Sequence, residues 1–390
     1  MSDQKSTCFV ITSLVTGGAE LQTINHINAF CESNSNIFLI ILSNITDDKL
    51  LSSLNISKNN ILILDQPYNT PTTKALINTH IYLHKVYSFI KTHKCEVIVA
   101  NLPLAHFFMR ATKLYARVRG LSFKLINYHR SLQFTASPID SLPKQLFHKY
   151  NQSLANKTDD GNIFISKASL DDMQDNFSIK RPIIIYDGIQ YKNGDSSLAY
   201  NYLRSISITP DYLIVLPGRL HPAKGHLFFL DAIHKFITDN KLEPKDIFII
   251  FAGGKNLEDT IRTEISARKL DSYIHITGII ENGLLLSLLQ VADLVAVPSI
   301  HEGLGNTAIE ALMQGSLVLA SDAGGLPEVI QDSRNGFMFE RNNQESFLSQ
   351  LHKIYFNKLT IDKSVLIDDF MKRFLFESHI KQLKEYIYSL

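Results

Sequence analysis

A chain of 390 residues is long enough for two domains, and its 45% hydrophobic and 20% charged residues are those of an ordinary globular protein with ample core material. The formal net charge of +1 argues against a nucleic-acid partner. Three widely spaced cysteines, Cys8, Cys31 and Cys95, with no Cys-x-x-Cys, argue for reduced thiols in a cytoplasmic protein rather than a disulfide framework.

No apolar run approaches the ~18 residues needed to cross a bilayer. "CFVITSLV" follows a single Lys5 and runs straight into "TGGAE", so it reads as a buried first strand and not as a signal-peptide core. The apolar runs "NIFLIILS", "ILILD", "EVIVAN", "FKLINYH", "NIFIS" and "RPIIIYDG" follow, most with a helical pattern between them. Continuous apolar strands alternating with helices predict a doubly wound α/β fold, its parallel sheet covered on both faces. The polar stretch from 190 to 211 breaks this rhythm and reads as the region of an interdomain linker. The pattern then restarts with "YLIVLPG", "IFIIFAGG", "IHITGII", "LVAVPS" and "LVLASDAG". In open α/β sheets ligands bind beyond the carboxyl ends of the strands, and every polar motif below follows a strand run.

The first is "LVTGGAE", where Gly17 and Gly18 open the first helix. Paired glycines allow close approach of backbone to a ligand; a tight turn is the plainer reading, and the Gly-x-Gly-x-x-Gly dinucleotide fingerprint is absent. Next, His129 ends the run "FKLINYH", where a histidine is either structural or set to act. From Met109 to Lys157 there are nine Lys/Arg and one acid, Asp140, and "HFFMRATKLYARVRG" reads as a basic, partly amphipathic helix. Such a face suits an anionic membrane surface, or is simply a solvated face.

In "LPGRLHPAKGH", Arg219 and Lys224 share one loop after a strand and could converge on a diphosphate, Arg as a fork and Lys as a point charge. The alternative is a solvated loop. "PSIHEGLGNTAIEALMQG" places Glu302 and Glu310 eight residues apart, which would leave them ~80° apart on an unbroken helix. Gly303 and Gly305 argue instead for a loop and then a helix starting near Asn306 or Thr307. "TAIE" fits a capping box with Thr307 as the cap and Glu310 three positions on. Bare amides from Gly303 through Leu304, Gly305 and Asn306 to Thr307 would suit an anionic group, and Glu310 could accept hydrogen bonds from sugar hydroxyls. No Asp-x-Asp, Gly-x-Ser-x-Gly or P-loop is present. His80 and His84 stand one turn apart without a third ligand nearby, so no metal is expected.

Together these residues resemble the retaining glycosyltransferases of the GT-B fold, family 4 or group 1, whose signature is Glu, seven residues, Glu. The resemblance covers most of the chain and is strongest from 211 to 340. "GRLHPAKG" is similar to that family's diphosphate loop, "TGGAE" to its N-terminal glycine loop and "DSRNGFMF" to the segment that usually follows the signature. Two features depart from it: "YDGI" stands where Asn-Gly is usual, and "FAGGKN" lacks the usual proline.

The resemblance implies two Rossmann-like domains facing a cleft: 1–190 binding acceptor, 191–368 binding donor, and 369–390 a helix crossing back to the first. It implies a nucleotide-sugar donor, UDP- or GDP-linked, as substrate and no cofactor. Glu310 would hold the ribose hydroxyls, Glu302 and the 303–307 amides the sugar and diphosphate, and Arg219 and Lys224 the departing charge. His129 would lie near the transferred sugar, and Gly17 and Gly18 near the diphosphate or acceptor. The expected acceptor is a lipid-linked or cell-envelope glycan such as lipopolysaccharide or O-antigen. It would be handled at the inner face of the cytoplasmic membrane, with the basic 109–157 region as the contact. A nucleotide-sugar epimerase of the same fold and a non-catalytic scaffold are the competing readings.

Overall fold

The computed structural model describes residues 5–15, 17–33, 36–67, 73–136, 138–254 and 256–390. The chain divides into two compact units, Met1–Tyr186 with His379–Leu390, and Asp187–Ser378.

The first unit is built on seven strands: β1 (Thr7–Ile11), β2 (Ile37–Ile41), β3 (Ile61–Ile63), β4 (Val97–Asn101), β5 (Lys124–His129), β6 (Gly161–Phe164) and β7 (Pro182–Ile184). They lie in the order β3-β2-β1-β4-β5-β6-β7, every pair parallel. β1, β2 and β4 are buried along their whole length, which is why they read as unbroken apolar runs. Strand order reverses between β1 and β4, the place where such sheets open a crevice. There Leu102 takes φ 77° and ψ 152° immediately before Pro103, a conformation that costs a non-glycine residue about 1–3 kcal/mol. The last helix, Phe376–Ser389, returns to this unit. Its Lys384 Nζ donates to Ala29 O (3.0 Å), and the His379 and His26 rings meet at 2.8 Å between Nε2 atoms.

The expected basic face of helix Pro103–Val118 is not what the chain builds. Arg110 and Lys113 are buried, Arg110 on Asp159 (2.7 Å) and Asn151 (2.8 Å), and Lys113 on Asp160 and the Thr158 carbonyl (2.7 Å). These cations close the gap between that helix and the strand that follows the next one, because a buried charge is tolerable only when paired and hydrogen-bonded. Only Arg117 and Arg119 at its end are exposed.

The second unit has six strands: β8 (Leu213–Pro217), β9 (Phe248–Ala252), β10 (Ile274–Ile276), β11 (Leu294–Val297), β12 (Val318–Ser321) and β13 (Phe337–Phe339). The order is β10-β9-β8-β11-β12-β13, again all parallel, with the reversal between β8 and β11. Its core joins Phe229, Ile233, Phe236, Phe251 and Phe347 under the sheet. The stretch expected as linker carries a helix, Ser196–Ser205, within this unit. Asp195 caps it through Ser197 N (2.9 Å), and Ala199 and Leu203, one turn apart, supply its buried face.

Candidate functional site

The second unit gathers the polar motifs at its reversal point. The loop after β8 and the loop after β11 leave neighbouring strands and are tied together by backbone. Ile300 N donates to Ala223 O at 2.7 Å and His301 N to the same oxygen at 3.3 Å. Gly225 sits at φ +71°, and a Cβ there would stand 1.8 Å from Pro298 O, so no other residue lets the loops approach this closely.

Across that seam Lys224 Nζ meets Glu302 Oε2 at 2.5 Å, and Ser299 Oγ donates to the same oxygen at 3.1 Å. Glu302 is therefore oriented by a cation and a hydroxyl, and it fixes the Lys224 ammonium in return. A third loop, after β12, braces this one: Gly325 N donates to Glu302 O at 3.1 Å. Arg219, on the β8 loop, is exposed and forms no ion pair among the described residues.

The helix Asn306–Met313 starts directly at the β11 loop. The capping box expected of Thr307 and Glu310 does not form. Gly305, at φ 112°, occupies the cap position with no side-chain bond, so Thr307 is the second helical residue and Glu310 the fifth. Glycine supplies the left-handed backbone that brings the chain round into the helix, and this shifts the start by two residues. Among the described residues the Thr307 hydroxyl is buried without a partner. The first-turn amides of Asn306 and Thr307 are likewise unbonded there, since the first intrahelical donors are Ala308 and Ile309 to Gly305 O. An uncapped helix start with a spare hydroxyl suits an anion that brings its own acceptors.

Glu310 lies half-buried one turn further in. Burial pushes its carboxyl up to about 7, against the Lys224 charge and a hydrogen bond with Asn282, which both pull it down. It sits between forms at neutral pH and would be settled as carboxylate by donors from a diol.

The first unit holds the other expected residues. Gly17 and Gly18 open the helix Gly18–Cys31 after β1. Neither needs glycine for its backbone, since Gly17 is extended at φ −164°. A Cβ on Gly18 would meet nothing within 4 Å, so the loop has open space beside it. Thr16 of the same motif and Lys255 of "FAGGKN" lie outside the described residues. His129, at the end of β5, is enclosed. Its ring stacks on Phe164 (centroids 4.5 Å) and leans on His106 (4.6 Å), and Nε2 lies 3.1 Å from Asn162 Oδ1. Burial holds it down to about 4 and so neutral at physiological pH.

Sequence patterns gave no sign of Ser299, Asn282 or His226. The first two act through residues 3 and 28 positions away, on Glu302 and Glu310. His226 is 3% exposed with both ring nitrogens unpartnered among the described residues. Burial first, then the Lys224 charge, lowers it to about 4.

Residues 204–386 match the family described as Glycosyl transferases group 1. An uncharacterized glycosyltransferase of Methanocaldococcus jannaschii is 29% identical over 168 residues, 42% of each chain. The UDP-Gal:alpha-D-GlcNAc-diphosphoundecaprenol alpha-1,3-galactosyltransferase of Escherichia coli is 26% identical over 151 residues, 38% of each chain. The chain thus spans well under half the length of the curated relatives it matches. Among solved structures, Anabaena HepE in complex with UDP superposes with a TM-score of 0.81 at 20% identity, covering 99% of this chain and 100% of that one. The lipopolysaccharide outer core galactosyltransferase WaaB, in its apo form, gives 0.74 at 14%, covering 98% and 99%. The fold is GT-B, two parallel-sheet α/β domains.

Proposed function

We propose that the chain is a retaining glycosyltransferase of group 1 that takes a sugar from a UDP-sugar, or a GDP-sugar, to a hydroxyl of a lipid-linked or cell-envelope glycan. The observation that carries this reading is one constellation: Lys224 held on Glu302, with exposed Arg219 beside it, at an uncapped helix start that leads into Glu310. The HepE complex with UDP and the galactosyltransferase named for UDP-Gal favour a uridine donor.

In this reading the diphosphate rests on the amides from Gly303 to Thr307 and the Thr307 hydroxyl. Glu310 accepts hydrogen bonds from the ribose hydroxyls, and Glu302 turns toward the sugar. The bond from the anomeric carbon to the diphosphate breaks while the acceptor oxygen bonds to the same face of that carbon. The acceptor's proton passes to the departing phosphate oxygen, so configuration is retained and charge balances. Arg219 and Lys224 take up the negative charge that grows on the diphosphate. Preorganised cations of this kind are the largest single contribution to such transfers. Lys224, fixed on Glu302, and the exposed Arg219 serve here in place of a metal, in keeping with a sequence that has no Asp-x-Asp.

In the first unit, Gly18 leaves room for the acceptor in this reading, whereas the Glu20 carboxylate takes up the space beside Gly17.

Turnover of radiolabelled UDP- and GDP-sugars with a membrane extract as acceptor tests the proposal. Transfer of label from one donor, with the anomeric configuration kept, is expected. Absence of transfer and of donor hydrolysis across both series overturns it. Conversion of the donor alone, without acceptor, would identify an epimerase instead.

A further inference from the structure

The helix Leu142–Thr158 is the connection between β5 and β6, and its inner face is ordinary: Asn151, Leu154, Ala155 and Thr158 are buried. Its outer face is not. Leu142, Leu146 and Tyr150 are 67%, 61% and 56% exposed. Residues four apart advance by ~40° around a helix, so the three form one apolar stripe. The Tyr150 ring keeps one side near Phe107, with centroids 6.2 Å apart, and offers the rest outward.

Charge around the stripe has one sign. Helix 142–158 contains no acid, and Lys149 and Lys157 are exposed on the same face. At its far end Arg117 Nη2 donates to Lys157 O (3.3 Å), which brings the exposed segment Arg117–Arg119 alongside, with Val118 at 84% exposure. The nearby acids are already engaged: Asp140 with Lys144, Asp159 with Arg110 and Asp160 with Lys113. Asp171 and Asp175 belong to the next segment, on the flank where Gln152 bonds to Asn176 O, away from the stripe.

We infer that this face, Leu142–Leu146–Tyr150 with Lys149, Lys157 and Arg117, docks on a bilayer carrying anionic phospholipid. Apolar side chains enter the interface while the lysines and arginines meet lipid phosphates, the arrangement by which interfacial helices bind. A second copy of the same face is a poorer occupant, because a two-fold contact would set these cations against themselves. The surface lies within the 109–157 region expected as the contact, but on helix Leu142–Thr158 and not on helix Pro103–Val118, whose Arg110 and Lys113 are locked inside. It deepens the proposed reading by giving a lipid-linked acceptor a surface to be met on, but its argument stands on this unit alone.

Co-sedimentation of the full chain with vesicles of phosphatidylcholine, with and without phosphatidylglycerol, tests it. The wild type should pellet with the phosphatidylglycerol vesicles, less as salt is raised. L142S/L146S and K149E/K157E should each bind at least tenfold more weakly. All these side chains are exposed, so circular dichroism and the UDP-induced thermal shift should match the wild type. Three results overturn the inference: no binding by the wild type, equal binding to neutral vesicles, or unchanged binding by L142S/L146S. A concentration-dependent dimer that L142S/L146S abolishes, without vesicle binding, would assign the face to a second copy. The UDP shift is read separately, so failure of the donor reading and failure of this one are distinguishable.

Discussion

The two units share a fold plan and use their charges in opposite ways. In the first, cations and histidines near the sheet are spent inward: Arg110 on Asp159, Lys113 on Asp160, His129 against Phe164 and Asn162. In the second, Lys224, Glu302, Thr307 and Glu310 collect at the strand reversal, several with bonding capacity left over. The same doubly wound frame therefore holds these cations and His129 of the first unit in its packing, although Gln66, Asn101 and Asn127 there keep unpartnered side-chain atoms among the described residues, and in the second unit it leaves the Thr307 hydroxyl unbonded. Perturbed titration alone does not tell these apart, since His129 and Glu310 are both shifted by burial. What separates them is whether neighbouring atoms already satisfy the group.

Breaking the buried pair of the first unit should produce the largest effect. Arg110→Met leaves Asp159 buried and unpaired, for a loss of about 3–5 kcal/mol in stability. Chemical denaturation should show this, while UDP binding by the folded protein stays unchanged. An effect on UDP affinity without one on stability would erase the contrast.

Lys224→Ala acts the other way. Its folding stability should move little, because the Lys224–Glu302 pair is partly solvated. Turnover should fall about a hundredfold to a thousandfold, as when one preorganised group at a developing charge is removed. Steady-state kinetics beside a melting curve check both halves.

Glu310→Gln is expected to gain stability and lose function. The carboxyl's folded value of about 7 lies above its ordinary 4.5. The folded state therefore loses stability as pH rises from about 4.5 to about 7, by up to about 3 kcal/mol, and the amide escapes that loss. At about pH 8 the variant should be the more stable protein, and near pH 4 the two should coincide.

The units should also part company on acidification. His26, His106 and His129 of the first unit are buried and held below their ordinary value, chiefly by burial. Stability from a depressed histidine is present above its unfolded value near 6.5 and is lost as pH falls toward the folded one. In the second unit His226 behaves likewise, but Glu310 has the opposite slope over much of the same window. Hydrogen exchange at about pH 5 and pH 7 should show protection falling in Met1–Tyr186 and holding in Asp187–Ser378. The smallest effect belongs to Gly18→Ala. With open space for the new Cβ, stability should stay within about 0.5 kcal/mol, while turnover drops if a ligand uses that space.

Much of this was legible in the chain, and the failures share a cause. All seven strands of the first unit and five of the second stand out as apolar runs, the central ones because they are buried on both faces, and β3 and β7 by their isoleucines although they are partly exposed. β13, Phe337–Phe339, escaped because it has no β-branched residue, and helix Ser196–Ser205 escaped because only Ala199 and Leu203 mark its buried side. Glu302, Glu310, Arg219 and Lys224 were legible as local motifs after strands. Illegible were the partnerships over distance. Arg110 and Lys113 look like surface charge until Asp159 and Asp160, 49 and 47 residues on, are folded against them. Thr307 looked like a cap because its spacing to Glu310 fits one, and only the φ of 112° at Gly305 shows that the helix begins earlier.

Calorimetric titration of UDP into the wild type and into Glu310→Gln at about pH 8 tests the central claim most directly. Saturable binding by the wild type is predicted, at least tenfold weaker in the variant, despite the variant's greater stability. Two lost charge-assisted hydrogen bonds, at about 1.5–3 kcal/mol each, are enough for that difference. A wild type that takes up no nucleotide, or a variant that binds UDP as tightly, would contradict the assignment of this site.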